Sequence, residues 1–347
     1  MFLRTPPRSS LPTAPLAGLA LLLPLTLAAC GTTDPGEAAP APSEAASGDC
    51  ADVTTSTGPV TLTDSFDRTV ELDQPAERVA VLEWQQTEDV LSLCVNPVAV
   101  ADVAGYTTWN DAEKLPEGVT DVGTRGEPNL DALYAADPDL VIIEAYTPDD
   151  EIIATLEEYD VPVLATKGAD AADPIANMLD TFDLIAQATG RTERAEAVTA
   201  QFEQHLAEGK EAIAAAAPEQ TDFVYFDGWV DGGNVSIRPF GQGSLIGEVG
   251  EELGLTNAWT GEVDPAYGLG QSDIEGMTAV GDATLLYTST QEGEDDWVAE
   301  LTRNDVWAGL PAVAEDRALP FPEHVWTFGG PRSAEKIVDA YVDVFTR

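Results

Sequence analysis

Positive charge is what this 347-residue chain has least of: 16 Lys+Arg stand against 62 Asp+Glu, a formal charge of −46. A nucleic-acid binder needs a basic footprint to displace counterions from phosphates, so that class is excluded. Histidine is scarce too, with only His205 and His324, too few for a three-histidine zinc site. No GxSxG, HExxH or P-loop run occurs, and neither histidine has an evident nucleophile beside it, which argues against an enzyme. Long apolar runs are missing as well. The candidate, Leu16 to Ala29, is broken by Gly18 and Pro24 and falls short of the about 20 residues of a membrane span. What is present, 44% hydrophobic and 22% charged residues, argues against disorder. The length predicts two lobes of roughly 120–170 residues.

The first thirty residues set an address. Arg4 and Arg8 form a basic n-region, the broken apolar run suits a signal-peptide core, and Leu27-Ala28-Ala29-Cys30-Gly31 resembles a bacterial lipobox. In that motif the cysteine is diacylated and becomes the mature N-terminus. Residues 1–29 are thus expected as a lipoprotein signal peptide. Residues 30–49, rich in Ala, Pro, Ser, Gly and Glu, are expected as a disordered tether that keeps the folded part in water beside a membrane. Removing residues 1–29 takes away two arginines and no acid, so the mature charge is 14 − 62 = −48. With Cys30 given to lipid, Cys50 and Cys94 remain as an even pair in an exported protein. That favours a disulfide between the start of the fold and the first lobe over two buried thiols. No Cys/His spacing supports a metal, and no cofactor is expected.

Beyond residue 50 the chain alternates between short apolar strands and helices. A hairpin (Val60–Leu62 with Thr69–Leu72) precedes strands at 78–83, 97–101, 139–143 and 161–165, with helices at 87–93, 129–136 and 148–159. Such alternation predicts a largely parallel sheet covered on both faces. From Pro174 to about Ala216 no strand signal occurs. Apolar residues fall at Ile175, Met178, Leu179, Phe182, Ile185 and Ala186, a helical spacing, with Gly190 as a possible break. A continuous helix here would reach about 60 Å. Alternation then resumes, with strands at 221–226, 234–237, 283–287 and 317–320 and helices at 244–253, 273–280, 295–301 and 333–345. The expected domains are therefore a lobe at 50–172, an interdomain helix at 173–217 and a second lobe at 218–347.

The segment Val122-Gly-Thr-Arg-Gly-Glu-Pro-Asn-Leu-Asp131, followed by Asp137-Pro-Asp-Leu-Val-Ile142, resembles the signature of the helical-backbone (class III) substrate-binding proteins of ABC transporters. It is most similar to the branch that carries ferric citrate and ferric hydroxamates. Matching segments are Val81–Trp84, Val100–Tyr106 with Trp109, Phe240–Ser244 running to Asn257–Trp259, Asn304–Trp307 and Val325–Gly330, so the resemblance covers about residues 55–346. It implies two Rossmann-like α/β lobes joined by a long interdomain helix, a clamshell. It also implies a monomeric lipoprotein that captures a ferric siderophore outside the cytoplasm and delivers it to the permease subunits of an importer. A cobalamin or haem carrier on the same scaffold is the alternative.

A siderophore saturates its iron with its own oxygens, so the protein needs no metal ligand, only cations for oxygen edges and aromatic walls. The candidate cations lie in Gly/Pro-flanked loops: Arg125, Arg238 and Arg332, of which Arg125 matches the arginine that contacts ligand in hydroxamate binders. Candidate aromatics fall at strand ends: Trp84, Tyr106, Trp109, Tyr146, Tyr267, Trp326 and Phe328. Trp259, Trp297 and Trp307 read instead as core. The resemblance further implies one docking acid on each lobe for the permease arginines, at Asp131 and Glu275.

Overall fold

The computed structural model describes residues 50–288 and 297–347. The expected signal peptide, Cys30 and the expected tether lie outside the described residues. No helix among the described residues is long and apolar enough to cross a membrane.

The first lobe opens with an antiparallel hairpin, β1 (Val60–Thr63) and β2 (Thr69–Leu72). There follow β3 (Val79–Val81), α1 (Trp84–Ser92), β4 (Ala99–Val100), α2 (Val103–Trp109), β5 (Thr120–Asp121), α3 (Leu130–Ala135), β6 (Leu140–Ala145), α4 (Glu151–Leu156) and β7 (Val163–Lys167). The sheet order is β5-β4-β3-β6-β7, every neighbour parallel. The continuous apolar runs of β3 and β6 fit this, because both faces are covered. Val79, Val81, Leu140 and Ile142 point into one core with Phe182 and Ile185, while Ala80, Val141 and Ile143 meet Leu133, Ile153 and Leu156 on the other face. Cys50 and Cys94 are joined in a disulfide, tying the start of the fold to the end of α1 across 44 residues.

The interdomain segment is two helices, broken at Gly190 where the sequence allows a break. α5 (Pro174–Thr189) is capped by Asp173, whose side chain accepts from the Ala176 N–H, and it ends at Gly190 with φ 68°. A Cβ at Gly190 would collide with Pro75 and Ser56, so glycine suits both the dihedral and the close approach. α6 (Thr192–Ala216), about 37 Å at 1.5 Å per residue, spans the lobes together with α5, whose Phe182 and Ile185 enter the first-lobe core while Met178 meets Ala334 and Leu245 of the second. Its first turn is tied to the first lobe, where Arg194 donates to the Ser92 carbonyl at 3.0 Å. Further along, Gly209 faces Val338 and Leu253 of the second lobe.

The second lobe contains β8 (Asp222–Asp231), β9 (Asn234–Phe240), α7 (Leu245–Glu252), β10 (Thr256–Asn257), β11 (Ser272–Asp273), a 3-10 turn at Gly276–Val280 and β12 (Thr284–Thr288). It continues through α8 (Trp297–Thr302), α9 (Asp305–Ala308), α10 (Pro311–Ala314), β13 (Ala318–Phe321) and α11 (Pro331–Phe345). Its sheet, β11-β9-β8-β12-β13 with β10 beside β8, is mixed. β8 and β9 form an antiparallel hairpin whose turn places Gly232 and Gly233 at φ 56° and 86°, the positive values a two-residue hairpin requires. Trp259, Trp297 and Trp307 are buried in this lobe's core, as the sequence predicts.

A buried carboxylate joins the two lobes. Glu88 of α1 accepts from the backbone N–H and hydroxyl of Ser333 in the first turn of α11, and from the Asn110 side chain at 2.7 Å. Burial pushes the Glu88 carboxyl above its usual range, and the hydrogen bonds from Ser333 and Asn110 only partly offset that.

Candidate functional site

The carboxyl ends of the first lobe's strands face the second lobe across a cleft of about 290 Å³. It continues into a recess of about 510 Å³ on the first-lobe side. A larger depression, about 930 Å³, lies at the opposite strand ends around Pro138, Asp139 and Pro162, lined by acids without a cation. The chemistry is in the cleft. It brings together Arg125, Tyr146, Arg238, Tyr267, Trp326 and Phe328, drawn from several loops and from strand β9, 203 residues apart at the extremes (125 to 328).

Each side chain is positioned locally. Arg125 sits in the β5–α3 loop, where Asp121 accepts from the N–H of Gly123 (φ 91°) and Asn129 caps α3. Its guanidinium donates to Glu83 at 2.6 Å and sits over the Trp84 ring, its carbon 3.8 Å from the ring centre. Tyr146 follows β6. Asp150 pins its loop by accepting from the N–H groups of Tyr146 (2.5 Å) and Thr147 (3.2 Å), leaving Tyr146 68% exposed. Asp264 does the same for Tyr267, accepting from the N–H groups of Ala266, Tyr267 and Leu269. Arg238, on β9, faces Asp227 of β8 in register and bonds it through both Nε and a terminal nitrogen. Its guanidinium also lies 5.5 Å and 5.8 Å from the Phe240 and Phe328 rings.

Three of the sequence candidates do not face the cleft, and a fourth meets it only through its neighbours. Tyr106 is 1% exposed; it falls on helix α2, not in the expected loop, and its hydroxyl donates to the Glu113 carbonyl at 2.8 Å. Arg332 is held by Glu335 and Gln201 near the start of α11. Trp109 is half-buried and packs 6.4 Å from Trp326. Trp84 is buried, its indole N–H donating to the Asp102 carbonyl at 3.2 Å, and it serves as the shelf under Arg125. The docking candidates Asp131, in the first turn of α3, and Glu275, ahead of the 3-10 turn, are both exposed.

Sequence reasoning missed the acids. Glu83, Glu144 and Asp227 sit among the cations and tyrosines. Glu144 lies at the carboxyl end of β6, and the strand-end rule that singled out Tyr146 applies to it equally. Tyr267 donates to Glu144 from across the cleft, and Tyr146 bonds it as well. Burial, then repulsion from Glu83, push the Glu144 carboxyl up to about 7, against the pull of the two tyrosines and Arg125. Burial also raises Asp227, partly offset by Arg238.

Two α/β lobes braced by a helix, with a cation- and aromatic-lined cleft between the strand ends, define a solute-binding clamshell. Residues 79–322 match the periplasmic binding protein family, and the chain belongs to it. It is 28% identical over 262 residues to the iron(3+)-hydroxamate-binding protein of Escherichia coli, covering 75% of this chain and 84% of that one. To the Fe(3+)-citrate-binding protein of Bacillus subtilis it is 27% identical over 266 residues, covering 75% and 78%. Among solved structures it resembles the siderophore-binding protein of Vibrio cholerae bound to Fe3+–Desferal. That match has a TM-score of 0.65 and 25% identity, spanning 78% of this chain and 98% of that one.

Proposed function

We infer that this protein is the extracytoplasmic capture component of an importer and that its cargo is a ferric siderophore. The observation that carries the reading is the meeting of Arg125, Arg238 and the aromatic walls of Tyr146, Tyr267, Trp326 and Phe328 in one interlobe cleft. Guanidinium groups donate to the oxygen edge of a chelate while the rings pack against its apolar linkers. The iron arrives already coordinated, so the binding step makes and breaks no covalent bond. The two curated relatives named above carry iron complexes in their names, which supports an iron chelate over haem or cobalamin.

Delivery would follow through docking of Asp131 and Glu275, one acid from each lobe, on permease arginines. Lipid on Cys30 would hold the protein at the membrane. Titrating tryptophan fluorescence with ferric hydroxamate, ferric citrate and ferric catecholate complexes, haem and cobalamin tests the cargo, since Trp326 lines the cleft and Trp84 lies beneath Arg125. Quenching by haem or cobalamin alone overturns the reading. Charge reversal at Asp131 and Glu275 should abolish uptake while leaving ligand titrations intact, and Cys30→Ser should release the protein into the medium.

A further inference from the structure

The charge inside the cleft does not match the guanidinium groups that first draw attention to it. Arg125 is paired with Glu83 and Arg238 with Asp227, so two positive groups already face two negative ones. Glu144 is a third acid lining the cleft, accepting from Tyr267 and within the field of Arg125. The fold makes room for it there: a Cβ at Gly168 would lie 2.2 Å from the Glu144 carboxyl carbon and 2.4 Å from the Tyr267 hydroxyl. The contact is therefore a built feature, a first-lobe carboxyl holding a second-lobe tyrosine across the ligand's path. Among these five groups the charges cancel with Glu144 protonated and leave one net negative charge with it ionised.

We propose that Glu144 is the specificity residue of this cleft, admitting neutral and cationic ferric chelates freely and polyanionic ones only together with a proton on its own carboxyl. The inference rests on the cleft being a ferric-chelate site. The groups that face Glu144 are consistent with it. Glu83 repels its charge, Arg125 attracts it, and Tyr146 and Tyr267 hydrogen-bond it. Asp102 and Asp150 line the same recess and add negative potential. Of the remaining cations, Arg238 is held by Asp227, and Lys167, on the neighbouring strand β7, is held by Asp170 at 2.5 Å. A trianionic ligand entering this field disfavours the carboxylate further and draws a proton to it. The raised titration of Glu144, about 7, puts that exchange within the neutral range.

The test compares cationic ferric desferrioxamine with a trianionic ferric tris-catecholate, on the wild-type protein and on Glu144→Gln, an isostere that still accepts the Tyr267 hydrogen bond. In the wild type, tris-catecholate affinity should fall about tenfold between about pH 6 and pH 8, while ferric desferrioxamine shows no such fall. In Glu144→Gln the tris-catecholate slope should flatten. Calorimetry in buffers of different ionisation enthalpy should register proton uptake with the tris-catecholate in the wild type and none in the variant. Equal slopes in wild type and variant, or no proton uptake, overturn the inference while leaving the siderophore reading standing. Failure of both chelates to bind either protein at any pH overturns both.

Discussion

The two lobes present an arginine each to the same cleft, but they hold it differently. The first lobe, an all-parallel sheet, offers Arg125 from a loop at the strand ends, held by a single carboxylate contact and laid on Trp84. The second lobe offers Arg238 from within the β8–β9 hairpin, fixed by a two-point contact to a cross-strand aspartate that burial has already disturbed. A loop-borne guanidinium can turn toward a ligand at small cost. A strand-borne one is part of the framework, and removing it strands its partner. The lobes differ in covalent support too, because the Cys50–Cys94 bridge belongs to the first.

The bridge should give the largest effect that separates the lobes. Replacing both cysteines with serine is expected to cost about 2–4 kcal/mol in urea unfolding, with hydrogen exchange rising in the first lobe before the second. A uniform rise would break the distinction. Arg238→Ala should lower both affinity and stability, the latter by about 1–3 kcal/mol because the pair is partly solvent-screened. Arg125→Ala should cost about 1–3 kcal/mol of affinity for an oxygen-rich chelate and leave the melting temperature nearly unchanged. If the two variants melt alike, the contrast between loop and strand fails. The smallest effect is the pH dependence of the unliganded protein. Glu144 titrates higher in the folded than in the unfolded chain, so its stabilising contribution is full below its ordinary value of 4.5 and is lost as pH rises toward about 7. Glu144→Gln should therefore show a shallower decline in melting temperature across that window than the wild type.

Much of this was legible in the residue pattern, for identifiable reasons. Parallel strands buried on both faces announce themselves as apolar runs, so β3, β6, β7 and β12 fall where the sequence predicts them within a few residues. Helix α2 was hidden because Val103-Ala-Gly-Tyr-Thr-Thr-Trp109 has a glycine and two threonines and no charged face. It forms because Asp102, itself at φ 54°, accepts from the Gly105 N–H and because Tyr106 is drawn into the core. That tertiary pull turned an expected ligand contact into a core residue. The break at Gly190 was signalled by the glycine, but how the two resulting helices bridge the lobes depends on packing at Met178 and Gly209, which no local pattern encodes. Arg125, Arg238 and the strand-end aromatics could be picked out by residue type and loop position. The acids could not, in a chain with 62 of them. Only the fold shows which few point inward.

The Glu88 contact has a mechanical corollary. It fastens the beginning of α11 to α1, and the residues just ahead of that beginning are the aromatic strip Trp326–Phe328. Trp326 also stacks edge-on against Trp84, 4.8 Å between ring centres. By sequence the strip is part of the second lobe, yet Trp326 is moored to the first while Phe328 stays packed against Phe240 and Tyr267 of the second. If the clamshell gapes, Trp326 should stay in step with Trp84 and Arg125, and the travelling jaw is the one that bears Arg238 and Tyr267. The boundary along which the molecule flexes then runs through the middle of the binding wall, not between the two sheets.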